Sequence, residues 1–148
     1  MPMLNIALLQ IAPTGSLEGN LKKGLDACRR AKELGADIAL FPECWSNGYD
    51  IYGRPAEEWK AEAIPADGPF LSAFGDLAGE LDMAIAVSFL EQWGDHPRDS
   101  LALFDRHGQR QFVYAKVHTC DFDVEREMTP GEEFFVPGLD TAAGPVQV

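Results

Sequence analysis

Two short apolar runs joined by an amphipathic stretch constrain the fold more than any other feature of this chain. Leu4 to Ile11 reads Leu-Asn-Ile-Ala-Leu-Leu-Gln-Ile, short and partly β-branched, as a buried strand does. Pro13, Gly15 and Ser16 break it. Apolar residues then fall at 17, 21, 25, 28, 31 and 34. Steps of three and four make one face of a helix, with Lys22, Lys23, Arg29, Arg30 and Lys32 mostly on the other. Gly35 suits the helix stop. Asp37 to Phe41 is a second buried-strand run, and Pro42 forbids its continuation as a central strand. Strand, helix, strand in this order predicts a βαβ unit and an α/β fold.

The rest of the chain extends that reading. Cys44 to Gly53 is aromatic and glycine-containing, a loop. Ala56 to Ala63 predicts a short helix, and Pro69 to Leu81 a better one with proline in its first turn. Met83 to Leu90 is a third strand. Asp99 to Arg106 and Gln109 to Val117 form two more, joined by a tight turn at His107-Gly108. An acidic loop runs on to Gly131. Glu133 to Val136 predicts a short strand, and Val146-Gln147-Val148 the opening of another.

Composition excludes several classes. The 148 residues suit one domain, and an apolar share of 46% supports a core. A formal charge of −12, from 24 acids against 12 bases, disfavours nucleic acid and anionic membrane as partners. No apolar run reaches the length of a membrane span. Met1 to Asn5 is not basic and leads straight into a strand, so no signal peptide is read and a cytoplasmic setting is expected. The three cysteines, Cys28, Cys44 and Cys120, are widely spaced and form no CxxC. Neither a disulfide framework nor a metal site is expected, and no cofactor.

Two positions carry candidate chemistry. Glu43 follows a strand at its carboxyl end, where open α/β sheets place ligands. Partial burial there would raise its pKa toward that of a general base; the bland alternative is a solvated loop glutamate. Lys116 ends another strand, sharing a face with Phe112 and Tyr114. It is either a fixed positive charge for an oxyanion or an edge lysine that blunts the sheet. Most of Asp121, Asp123, Glu125 and Glu127 read as solvated, although one glutamate turned inward beside a lysine would matter.

Phe41-Pro42-Glu43 with Trp45-Ser46-Asn47-Gly48-Tyr49 resembles the glutamate motif of the nitrilase superfamily, the carbon–nitrogen hydrolases. Tyr114-Ala115-Lys116-Val117-His118, followed by Asp121-Phe122 and Thr129-Pro130-Gly131, resembles that family's lysine motif. Leu4 to Gln10 with Asn20, and the spacing of the two motifs, are similar too. The resemblance implies half of an αββα sandwich, a mixed sheet with helices on one face, over residues 1–148. It also implies a Glu–Lys–Cys triad forming a covalent acyl-enzyme. Glu43 then matches the general base and Lys116 the stabiliser of the tetrahedral intermediate. Glu125 matches a substrate-positioning glutamate, with Glu127 competing. The implied partner is a small amide or N-carbamoyl amine, less so a nitrile, and homo-oligomers are implied as well.

The family's nucleophile follows the lysine motif by one further strand. It is expected beyond Val148, since no such motif occurs in these residues. Family members are nearly twice as long, so part of the sheet surface is expected to be uncovered. Cys120 stands near Lys116 but reads as packing under the loop. Cys44 abuts Glu43, where neighbours on an extended chain point apart. Cys28 reads as core. Trp45, Tyr49, Tyr52 and Trp59 line either a pocket or the core, the core being favoured. The alternative to an enzyme is a non-catalytic truncated homologue or a fragment requiring a partner. A generic nucleotide-binding domain has only the βαβ start in its favour, with neither GxGxxG nor GxxxxGK[ST] present.

Overall fold

The computed structural model describes residues 3–120 and 123–148. The βαβ start is present as Ile6–Leu8 (β1), Leu17–Glu33 (α1) and Ile38–Leu40 (β2). β1 and β2 pair in parallel, Ile6 opposite Ile38 and Leu8 opposite Leu40. Ser16 caps α1 by accepting the Gly19 amide at 3.1 Å. Glu18 in the first turn and Arg30 and Lys32 in the last complement the helix dipole. Ala56–Lys60 (α2) is shorter than the expected 56–63, while Pro69–Leu81 (α3) has the expected bounds.

Ala84–Glu91 (β3), Arg98–Phe104 (β4) and Arg110–Ala115 (β5) complete a five-stranded sheet in the order β1-β2-β3-β4-β5. β2 and β3 are parallel, and β3, β4 and β5 are antiparallel neighbours, so the sheet is mixed. Every residue of β3 is buried. Ile85, Val87 and Phe89 pack under α1 and α3 with Phe41, Trp45 and Phe74. Ala84 and Ala86 point to the opposite face, as strand alternation requires. That face is covered in part by a hairpin of Gly138–Thr141 (β6) and Gly144–Gln147 (β7), through Leu139 and Val146. Ile6 and Leu8, on the same face, remain 51% and 64% exposed. Helices therefore lie on one face and the other is partly open, as expected. Among the described residues, no helix is long and apolar enough to cross a membrane.

Two expectations need correction. Glu133 to Val136 is not a strand. Phe135 stacks on Phe112 at 5.1 Å and Phe134 leans on Tyr114 at 6.2 Å. Phe112 and Tyr114 share one face of β5, and two adjacent residues of an extended strand cannot both reach one face. The strand expected to open at Val146 instead begins at Gly144 and closes the β6–β7 hairpin.

The buried stripe of α1 is also rotated from the apolar pattern. Asn20, Gly24, Cys28 and Ala31 are buried, whereas Leu17 and Leu34 are 42% and 71% exposed. A Cβ at position 24 would lie 2.8 Å from Trp45 Nε1 and 2.9 Å from Phe74 Cζ. Glycine there lets the helix approach the loop that follows β2.

Candidate active site

Pro42 ends β2 and delivers Glu43 to the carboxyl edge of the sheet. The loop behind it is clamped by buried polar groups. Ser88 Oγ donates to Pro42 O and accepts the Trp45 amide at 3.0 Å. Ser46 Oγ accepts the Leu90 amide at 2.9 Å. Asn20, fully buried, donates to the Trp45 and Ser46 carbonyls, each at 3.2 Å. Trp45 Nε1 donates back to Asn20 O at 3.1 Å. Trp45 and Trp59 are core, as favoured, while Tyr49 turns toward the site.

At the centre stands Lys116, one residue past β5. Its Nζ lies 2.6 Å from Glu43 Oε1, 3.3 Å from each Glu125 carboxylate oxygen and 3.7 Å from Asp99 Oδ2. The three candidates from the sequence therefore converge on one cluster, in which the Glu43 side chain stays 45% exposed. Glu125 sits on a short 3-10 turn, Asp123–Glu127, with its side chain only 2% exposed. It accepts the Cys120 amide at 2.8 Å and the Tyr49 hydroxyl. Glu127 faces elsewhere and pairs with Lys60 at 2.7 Å. Asp123 is exposed. Asp121 and Phe122 lie outside the described residues.

The electrostatics differ from expectation at Glu43. Its carboxyl is held below the ordinary value, first by a hydrogen bond from Asp99; burial opposes this, and Lys116 adds to the lowering. Burial alone would have raised it, and the neighbours outweigh burial. Burial pushes Glu125 up, but the Cys120 amide, the Tyr49 hydroxyl and Lys116 prevail and hold it low. Burial would lower Lys116, and the Glu43 hydrogen bond and charge turn the shift upward. The resting site is thus an ammonium set against carboxylates.

No thiol here is activated. Burial raises Cys28 to about 12. Burial and then the Asp99 charge push Cys44 well up. Burial and the Glu125 charge raise Cys120, which offers Glu125 its amide. The expectation that Glu43 and Cys44 point apart also fails. Cys44 has a left-handed backbone, φ 47°, and its Sγ donates to Asp99 Oδ1 at 3.2 Å, the same side chain that meets Glu43. Among the described residues, no group of three or more His, Cys, Asp or Glu is arranged to hold a metal ion.

The sequence model of the carbon-nitrogen hydrolases matches residues 5–148. The chain belongs to that family. It is 30% identical over 142 residues to a glutamine-dependent NAD(+) synthetase of Thermotoga maritima, covering 92% of this chain and 23% of that one. It is 30% identical over 137 residues to an N-carbamoylputrescine amidase of Solanum lycopersicum, covering 90% and 45%. A crystal structure of an amidase from Nesterenkonia sp. superposes with TM-score 0.68 at 27% identity, over 97% of this chain and 54% of that one. The chain thus spans about half the length of these amidases and about a quarter of the synthetase.

Asp99 is the group of this cluster that was not among the sequence candidates. A signal existed. Equal steps outward from the His107-Gly108 turn set Asp99 opposite Lys116, and opposite charges pair across antiparallel strands. The Lys116 amide indeed donates to Asp99 O at 2.8 Å.

Gly131 fixes the other side of Lys116. Its amide donates to Lys116 O at 2.9 Å, and a Cβ there would sit 2.2 Å from Ala115 O. Gly131→Ala is expected to cost about 1–3 kcal/mol by overpacking and to displace the Lys116 backbone. Denaturant unfolding checks this; an unchanged midpoint would show that the loop yields freely.

Proposed function

We propose that this chain supplies the base and the oxyanion-stabilising cation of a thiol hydrolase. Its substrates are small amides or N-carbamoyl amines, with nitriles less suited. The observation that carries the reading is Lys116 Nζ held at 2.6 Å from Glu43 and 3.3 Å from Glu125 in a chain of this family. The nucleophile in this proposal is a cysteine outside these residues, because the thiols of Cys28, Cys44 and Cys120 are all raised. In support, a structure of the Nesterenkonia amidase records acrylamide added at its active-site cysteine, and another holds butyramide.

Chemically, Glu43 takes the thiol proton and the sulfur attacks the carbonyl carbon. The C=O π pair moves onto oxygen, where Lys116 stabilises it. As Lys116 turns to the oxyanion, it releases Glu43, whose basicity recovers when its proton is needed. Collapse expels ammonia or an amine with the proton from Glu43. Glu43 then deprotonates water, which attacks the thioester; the C–S bond breaks, the acid is freed and the leaving sulfur takes the proton back from Glu43. Glu125, fixed by Tyr49 and Cys120, orients Lys116 and the amide nitrogen.

The test is ammonia release from butyramide, an N-carbamoyl alkylamine and butyronitrile by the protein of the complete reading frame. Glu43→Gln and Lys116→Met should each lower kcat/KM by roughly 100-fold or more. Undiminished activity in Glu43→Gln would sink the reading. So would turnover by the 148-residue chain carrying Cys28→Ala, Cys44→Ala and Cys120→Ala. No turnover of any of the three compounds would leave the non-catalytic homologue.

A further inference from the structure

Asp99 is the one enclosed acid of the site to which the base, lysine and positioning roles assign nothing. Its side chain is 7% exposed, against 45% for Glu43. It meets three groups: Cys44 Sγ, which donates to Oδ1 at 3.2 Å; Lys116 Nζ, 3.7 Å from Oδ2; and the Glu43 carboxyl, through a side-chain hydrogen bond.

A carboxylate only accepts, so a hydrogen bond between two carboxyl groups requires a proton on one of them. Two acids in contact titrate as a pair and hold one proton between their two apparent pKa values. Their surroundings decide which acid keeps it. Glu43 is open to water and takes the ammonium at 2.6 Å. Asp99 is enclosed, and the ammonium stands 3.7 Å away, beyond ordinary hydrogen-bond reach. A negative charge costs less on Glu43.

Building on the reading of Glu43 as the base, we propose that Asp99 is a positioning residue: it holds the proton the two acids share and donates it in a hydrogen bond to Glu43, keeping Glu43 anionic and aimed at Lys116. Asp99 itself touches no reacting atom in this scheme.

The charged and titratable groups facing the pair agree. Cys44 and Lys116 face Asp99, while Lys116 and Glu125 face Glu43, with Tyr49 donating to Glu125 behind them. Burial first, and then the bond to Glu43, push the Asp99 carboxyl up to about 7. The same bond is the largest influence holding Glu43 down.

Carboxyl carbon-13 NMR titration of the 148-residue chain tests this without substrate. Asp99 should titrate near 7, and Glu43 below the ordinary glutamate range. In Glu43→Gln the Asp99 midpoint should fall by about one unit or more, since its charged neighbour is gone. In Asp99→Asn the amide still donates and Glu43 stays low. In Asp99→Val no donor remains, and the Glu43 midpoint should rise by about one unit. An Asp99 midpoint below about pH 5 in the unaltered chain would overturn the proposal. So would an Asp99 midpoint unmoved in Glu43→Gln, or equal Glu43 midpoints in the Asn and Val variants. If the Val variant does not fold, Glu43→Gln decides. No midpoint depends on turnover, so a failure of Glu43 as hydrolytic base and a failure here are separable.

Discussion

Replacing Lys116 with methionine is expected to destabilise the protein by about 2–4 kcal/mol at neutral pH, with most of that loss disappearing in acid. Methionine keeps the unbranched apolar stem and removes only the ammonium. Glu125, 2% exposed, then keeps its Tyr49 and Cys120 donors but loses its counter-charge, and Glu43 loses its 2.6 Å partner. A fully buried pair broken on one side costs about 3–5 kcal/mol; a quarter of Lys116 and nearly half of Glu43 reach solvent, which reduces that to the lower range. The direction with pH follows from the carboxylates. Glu43 and Glu125 are held below their ordinary values, so they stabilise the fold above the unfolded carboxyl pKa. That stabilisation is lost as pH falls through their folded values. Lys116 is raised, so its own contribution is complete at neutral pH and fades only in strong alkali. The two proteins should therefore differ fully above about pH 5 and converge below it. Denaturant unfolding at neutral and acid pH measures this. A deficit that is the same at both would mean that Lys116 acts through packing, not charge.

Asn20→Ala should show the next largest effect, about 2–3 kcal/mol. The side chain sits where α1 meets the loop after β2. It accepts the Thr14 amide at 2.7 Å and donates to two loop carbonyls, so its removal strands buried groups in two segments. Asn20→Asp keeps the acceptor for Thr14 but sets a fully buried carboxyl group against the Trp45 and Ser46 carbonyl oxygens, so its loss should be at least that of alanine. Because the Asn20 side chain holds the Trp45 carbonyl at 3.2 Å, the alanine variant should also lose near-ultraviolet circular dichroism from the buried Trp45 ring. A loss of less than about 0.5 kcal/mol would show that the loop is held by its own turns and the two serines.

Several parts of this were legible in the sequence because their causes are local. Proline at 42 and 69 and glycine at 35 act within a residue or two. Periods of two and of three to four assigned β3, β4, β5, α1 and α3 with small errors at their ends. Glu43 and Lys116 stood at strand ends, and the family motifs around them did the rest. What failed depended on neighbours. Burial alone argued for a raised Glu43 pKa, and the hydrogen bond from Asp99 reversed it. The aromatic pair Phe134-Phe135 looked like a strand until its rings met Phe112 and Tyr114.

The sequence by itself determined the order of elements as far as β5, the parallel start of the sheet and the two strand ends that carry Glu43 and Lys116. Each of these is written in spacing over a few residues. Only the tertiary structure decided that Glu125, not Glu127, turns inward, that Asn20 and Gly24 centre the buried face of α1, and that Asp99 joins the site. Those outcomes rest on contacts between residues far apart in the chain, 73 positions for Lys116 and Glu43 and 55 for Cys44 and Asp99. A side chain's charge and burial are set by what the folded chain brings beside it, and local patterning carries no record of that.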